Sequence, residues 1–285
     1  MKKIVLVFLA FILFQSVTLA QKPQGYNLKE GIKIEVLSIV KQVITQTVQG
    51  QNYETNQEIT SSDEFEVMEV LKDGYKIKMT GMYRALSMQA PGQEMAMDSR
   101  KEGDSNLAFK ALTGKSFHFV MDKKGKVSSI EGLDEYHTAI KSELTGTSLE
   151  SGIESIIESV SEAALITGIE GQFWIFPNAD EATWNRSSET ISNGLPVKIS
   201  SEFYWDSDAS ILAAGEMTLE GATTVQGMDM STSMKGTQNT IFDLDKNTGL
   251  CTLIQTQQEM IGTMEMQGMS IPMVNKTTTS VTFTW

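Results

Sequence analysis

Cysteine is nearly missing from this chain. Cys251 is the only one in 285 residues, so no intrachain disulfide can form, and stability has to come from packing and backbone hydrogen bonds. Histidine is almost as scarce, at His118 and His137 alone. G-x-S-x-G and H-E-x-x-H do not occur, so there is neither a nucleophile elbow nor a zinc-protease helix. Positive charge is short: 23 Lys and Arg face 36 Asp and Glu, a formal charge of −13. That balance argues against nucleic acid and anionic membrane surfaces as partners, because both reward cations. Long apolar runs are missing too. The one present, Ile4 to Phe14, is eleven residues, and about 20 are needed to span a bilayer.

That run has a context. Lys2 and Lys3 precede it and Thr18-Leu19-Ala20 follow it, the layout of a secretory signal peptide over residues 1–20. Cleavage after Ala20 is expected to leave an exported chain, periplasmic or extracellular, starting at Gln21 and free of transmembrane segments. No cysteine stands at the cleavage point for lipid attachment. Losing Lys2 and Lys3 from the 23 basic residues leaves 21 against 36 acids, a formal charge of −15.

Three regions follow from hydrophobic period. Over residues 21–132 the period is two. "YKIKMTGMY" sets Tyr75, Ile77, Met79 and Tyr83 on one face against Lys76, Lys78 and Thr80. "FHFVMDKKGKVSSIEG" alternates Phe117, Phe119 and Met121 before an Asp-Lys-Lys-Gly turn, a hairpin signal. Over 133–169 the period becomes helical. Ile153, Ile156, Ile157, Val160 and Ala164 form one amphipathic helix, with Ser151 as its cap and Gly168 as its end, after a shorter helix from Asp134 to Leu144. Over 170–285 the period returns to two. "LPVKISSEFYW" aligns Leu195, Val197, Ile199, Phe203 and Trp205, and "SVTFTW" aligns Val281, Phe283 and Trp285, the last expected in the core. "IFDLDKNTGLCTL" repeats the strand, acidic Gly turn and strand of the first half, which reads as an internal duplication. The expected fold is mainly β with a helical insert: a curved antiparallel sheet, or two related half-barrels, covered by two central helices.

Several fragments imitate chemical sites. "DLDKNTG" carries oxygen ligands at alternate positions, yet the sixth and twelfth places of a calcium loop hold Thr248 and Ile254, so a hairpin turn is the reading. "TGKS" at Thr113 to Ser116 ends like a phosphate loop, but the glycine required upstream is Phe109. Acid pairs such as Asp206 and Asp208 carry no spacing signal. No catalytic residue, cofactor or enzyme activity is expected.

Methionine is what the sequence has in excess, at 17. M-x-M occurs at Met95/Met97, Met228/Met230 and Met264/Met266, and "MIGTMEMQGMSIPM" packs five methionines into residues 260–273. Thioethers suit soft Cu(I), which makes Met228, Met230, Met264 and Met266 candidate ligands. In a strand, i and i+2 also share one face about 6.6 Å apart, so the same pairs serve as apolar stripes. Lined with Tyr75, Ile77, Met79, Tyr83, Met95, Met97, Met228, Met230, Met264 and Met266, a concave sheet would hold a lipid or acyl chain. A filled core meeting another envelope protein is the alternative.

"YNLKEG", "QTVQGQNYETNQEI", "FEVMEVLKDGYKIKMTGMY" and "FVMDKKGKVSSIEG" together resemble an uncharacterised family of secreted bacterial proteins, catalogued as a domain of unknown function. The resemblance implies an exported, β-rich protein with a helical insert, and brings no functional residues. The layout is also similar to the half-barrels of periplasmic lipoprotein carriers, whose bent sheet and covering helices imply acyl-chain binding by architectural analogy.

Overall fold

A computed structural model describes residues 22–192, 195–225, 228–266 and 268–285; the predicted signal peptide lies outside them. Twelve strands make one antiparallel sheet. The N-terminal part supplies β1 (Lys33–Val48), β2 (Gln51–Val70), β3 (Gly74–Ala90), β4 (Gln93–Asp98), β5 (Ser116–Asp122) and β6 (Val127–Glu131). The C-terminal part supplies β7 (Thr183–Ser192), β8 (Leu195–Ser207), β9 (Ser210–Val225), β10 (Met228–Leu244), β11 (Cys251–Met266) and β12 (Met269–Thr284). Their order is β6-β5-β3-β2-β1-β12-β11-β10-β9-β8-β7, with β4 beside β3. Twelve pairs join β1 to β12, from Glu35 opposite Thr284 to Gln46 opposite Met273, so the two parts share one continuous sheet.

Alternation builds the strands and decides their faces. Ile34, Val36, Phe65, Val67, Phe119, Ile211, Phe242, Ile254, Val281 and Phe283 are all buried on one face, the inner one. The outer face is wet, and there Lys41 opposes Glu58 and Lys276 opposes Glu259. Such exposed pairs add little stability; the buried face fixes register, since a slip of one residue would exchange the faces.

Helices cover the inner face. They are α1 (Leu107–Ala111), α2 (Leu133–Leu144), α3 (Ile153–Ser159) and α4 (Glu162–Phe173). In α2, Tyr136, Ile140 and Leu144 recur every fourth residue and are buried. The single long helix expected from Ile153 to Ala164 is broken instead at Val160 and Ser161. Ser161 is extended, at ψ 160, and starts α4, while Gly152 and not Ser151 precedes α3. His137 pays for the break by bonding the Val160 carbonyl through Nε2 at 2.9 Å. α4 runs through Gly168 to Phe173, because Ile169 and Phe173 are buried in the core beyond it.

The two ends of the sheet order, β6 and β7, both touch α4. The sheet therefore curls round without closing, and α4 lies in its seam. Val127 of β6 donates its backbone N–H to Glu170 Oε1 at 3.0 Å, and Lys126 Nζ sits 5.2 Å over the Trp174 ring.

Both acidic turns are hairpins, as read. Asp122 Oδ1 accepts from the N–H groups of Lys124 and Lys126, and Asp245 Oδ1 from those of Asn247 and Thr248. The segment at Tyr26 runs between them: Tyr26 N–H donates to Lys123 O, and Asn27 N–H to Thr248 O, both at 2.8 Å. The hairpins occupy different places, however. The first is the sheet edge, and the second, β10–β11, lies inside the C-terminal half. Trp285 is a correction to the expected core: it is 46% exposed, and Phe283 is the last buried aromatic.

Candidate functional site

Followed along the strands of the C-terminal half, the inner face changes character twice. At the base, Trp205, Ile211, Phe242 and Ile254 belong to the main core, with Phe203 stacked 6.0 Å from Phe242 and 5.7 Å from Trp184. One pleat further, the same face is polar. Thr240 opposes Thr256, Gln238 opposes Gln258, and Ser201 and Thr279 lie alongside. The hydroxyls of Thr240 and Thr256 are 3.1 Å apart, and Gln258 Nε2 donates to Gln238 Oε1 at 2.7 Å. Beyond that belt the face is apolar again, where Val197, Met217, Met234 and Met260 form a second buried cluster backed by Ile199, Leu219 and Met273.

Glycines make the second cluster possible. Gly236 opposes Met217 and Met260, and Gly262 opposes Met234 and Met273. A Cβ on Gly236 would lie 2.0 Å from the Glu259 carbonyl oxygen, and one on Gly262 2.0 Å from that of Ser233. Neighbouring strands fold over these positions, which only glycine allows, and the methionines fill the bend.

A cavity of about 440 Å³ lies over the polar belt. Its floor is Gln238, Thr240, Thr256, Gln258 and Thr279, with Phe203, Phe242 and Ile254 toward the base. Its roof is one face of α4 and the residue following: Thr167, Glu170, Gly171 and Trp174, spaced i, i+3, i+4 and i+7. Its side wall is β7, from which Arg186 projects opposite Ser201.

Arg186 is held by aromatics and carbonyl oxygen. Its guanidinium lies 4.1 Å from the Trp174 ring centre and 5.6 Å from that of Phe203, and Nη2 donates to the Phe176 carbonyl. Burial pulls its pKa down to about 10. Burial likewise raises the Glu170 carboxyl above its usual range, against the lowering effect of the Val127 N–H.

The residues named from sequence lie elsewhere. Tyr75 and Ile77 fill the main core, Tyr75 donating its hydroxyl to the Tyr26 carbonyl at 2.8 Å, with Met79 packed beside them. Tyr83 is a correction. A bulge in β3 makes Asp63 face Gly81 while Ser62 faces Tyr83, which puts Tyr83 on the outer face. There the Arg100 guanidinium covers its ring at 4.0 Å. Met95 is exposed and Met97 half-buried, on β4. Met230, Met264 and Met266 are half-buried near the hairpin tips, and Met228 is placed by backbone register opposite Val225, its side chain outside the described residues. None of the nine whose side chains are described lines the cavity.

The methionine pairs converge in part. Met266 opposes both Met230 and Met269 across adjacent strands, so the stretch 260–273 is a hairpin, turned at Gly268 (φ 77), whose two arms share the inner face. Met95 and Met97 stand apart from them, with four strands, β3, β2, β1 and β12, between β4 and β11.

The cavity residues did leave a trace in the sequence. Gln238 and Thr240 fall in the parity of Met234 and Phe242, and Thr256 and Gln258 in that of Ile254 and Met260. Two successive strands thus interrupt their apolar stripe with polar residues at the same level. Arg186, two places after Trp184, had no comparable signal.

Comparison with known proteins bears mainly on architecture. A family model described as a family of unknown function (DUF6263) matches residues 72–251. No curated protein matches the chain. Among solved structures, one of lipid–protein interactions in lipovitellin overlaps 91% of this chain at 8% identity with a TM-score of 0.51. This chain spans about a quarter of that one, 26% of its length, and at this identity the likeness is one of fold. An outer membrane channel from Pseudomonas putida F1 also matches, at 8% identity, covering 91% of this chain and 97% of that one with a TM-score of 0.24. So does a putative outer membrane lipoprotein-sorting protein domain from Vibrio parahaemolyticus, at 10% identity, covering 90% and 85% with a TM-score of 0.14. Overlaps of that size carry no argument. Among the described residues no helix is long and apolar enough to cross a membrane, which says nothing of strands.

Proposed function

Because this chain belongs to the family of unknown function DUF6263, which brings no activity with it, we propose a function from the cavity itself: an exported, non-enzymatic cell-envelope protein that holds an apolar ligand, a lipid or acyl chain, in its concave sheet. The carrying observation is the cavity of about 440 Å³ between α4 and the sheet. That volume falls within the range of about 300–1,000 Å³ common for small-molecule sites.

Three features support the reading. The cavity walls include Trp174, Ile175, Phe203, Phe242 and Ile254, which offer apolar contact. The methionine cluster beyond the belt offers unbranched, polarizable side chains that adapt to a chain of variable shape. The roof is a helix in the open seam of the sheet, so a ligand could enter by displacing α4 without breaking any strand pairing. The curled sheet also shares its fold with a structure of lipid–protein interactions in lipovitellin, an analogy of architecture. Export rests on the sequence of residues 1–20.

Mass spectrometry of organic extracts from the purified protein, with titration of a fluorescent fatty acid, tests the reading. Co-purifying lipid or saturable binding is expected. A protein that carries no lipid and binds no probe would sink it.

A further inference from the structure

Four buried side-chain polar atoms lack a hydrogen-bond partner among the described residues: Gln172 Oε1, Trp174 Nε1, Trp184 Nε1 and Arg186 Nη1. Three of the four are donors, and they belong to one neighbourhood. Arg186 stacks on Trp174 and lies over Phe203, which in turn stacks on Trp184. Trp174 and Arg186 both line the cavity. Folded proteins leave few buried donors unpaired, because each costs its full desolvation.

The charge is unpaired as well. Among the described residues no carboxylate lies within 4.0 Å of the Arg186 guanidinium, and Glu170 and Asp122 act on its charge only from further away. The two acids that line the cavity are engaged elsewhere: Glu170 Oε1 takes the Val127 N–H, and Glu189 faces Lys198 at 3.9 Å. A half-buried guanidinium beside two aromatic rings, with one arm on a carbonyl and the other free, offers a fork to an oxyanion. Nη1 is buried and unpartnered while Arg186 lines the cavity, so binding a ligand there requires the fork to turn toward that space.

Resting on the apolar-ligand reading above, we propose that the ligand is amphipathic and that its anionic head, a carboxylate or a phosphate, is bound by Arg186. The head lies at the β7 wall beneath α4. The tail runs along the inner face from Phe203 and Ile199 toward Met217, Met234 and Met260. The hydroxyls and amides of Ser201, Gln238 and Thr240 border the junction, where an acceptor-rich head meets them.

The test is competition binding on the full chain after export, with three probes of equal tail length: a fatty acid, its methyl ester and an alkyl phosphate. The acid or the phosphate is expected to bind about 10- to 100-fold more tightly than the ester, the scale of a hydrogen bond to a charged group. Preference for the acid identifies a free fatty acid, and preference for the phosphate identifies a phospholipid head. Arg186→Gln is expected to lower anion affinity to that of the ester and leave the ester unchanged. Arg186→Lys, which keeps charge without the fork, is expected to recover only part. Equal binding of ester and anions by the unaltered protein overturns the role of Arg186 while the apolar-ligand reading stands, and that comparison needs no variant to fold. Binding of none of the three overturns both.

Discussion

Glu170 on α4 takes the backbone N–H of Val127, the first residue of edge strand β6, at 3.0 Å. A helix side chain thereby satisfies a donor that the unclosed sheet leaves over, and ties α4 to one lip of the seam. Burial raises the Glu170 pKa. Glu170→Gln keeps the acceptor and removes a disfavoured charge, so its urea midpoint should match or exceed that of the unaltered protein. Glu170→Ala should cost about 1 kcal/mol. It should also speed hydrogen exchange at Val127, and equal exchange in the two variants would show that the bond does not hold the seam.

The Gln238–Gln258 pair should behave non-additively. Either glutamine alone changed to Leu strands its partner's amide against an apolar wall, at a cost of about 1–2 kcal/mol. Changing both removes both amides and joins the two apolar clusters, so the double variant should be near neutral in urea unfolding. A double variant as unstable as the sum of the singles would show that the belt contributes net stability.

Two glycines should respond oppositely to alanine. At Gly236 the added carbon meets the Glu259 carbonyl at 2.0 Å, so strands β10 and β11 must part, at about 2–3 kcal/mol. At Gly168, inside α4, nothing lies within 4 Å of the new carbon, and the helix should gain about 0.5–1 kcal/mol. Thermal denaturation of the two variants reads both signs.

Asp63 and Arg84 form an ion pair at 2.5 Å, with side-chain exposures of 12% and 21%. Burial nevertheless raises the Asp63 pKa, outweighing the lowering effect of Arg84. Between the ordinary carboxylate range and that raised value, the folded protein holds a proton the unfolded chain has released. Stability from this site therefore falls as pH rises through that window and is level above it. The advantage of the unaltered protein over Asp63→Asn should shrink as pH rises from about 4 toward neutrality. An advantage that grows instead would mean that pairing dominates burial. Arg84→Met should cost about 3 kcal/mol at neutral pH, because Asp63 is left buried without its counter-charge while the carbonyls of Ser62 and Tyr83 lose their donor.

Periodicity was enough to place most strands. Phe117, Phe119 and Met121, or Val197, Ile199 and Phe203, declare their faces because side chains in a strand alternate without exception until a bulge intervenes. Tyr83 shows the limit: one extra residue in β3 reversed its face, and a bulge depends on the partner strand. The helix break at Val160 was equally hidden, since it follows from where the core lies and from His137, 23 residues away.

The amino-acid order by itself determined a β-rich chain with a helical insert, its acidic turns and its alternating faces, because these depend on neighbours one to four residues apart. The single sheet, the seam filled by α4 and the meeting of Arg186, Trp174 and the Thr/Gln belt were decided by tertiary structure. Their pairings join residues far apart in sequence, and sheet curvature depends on close approach at glycines such as Gly236. Local pattern carries no record of either.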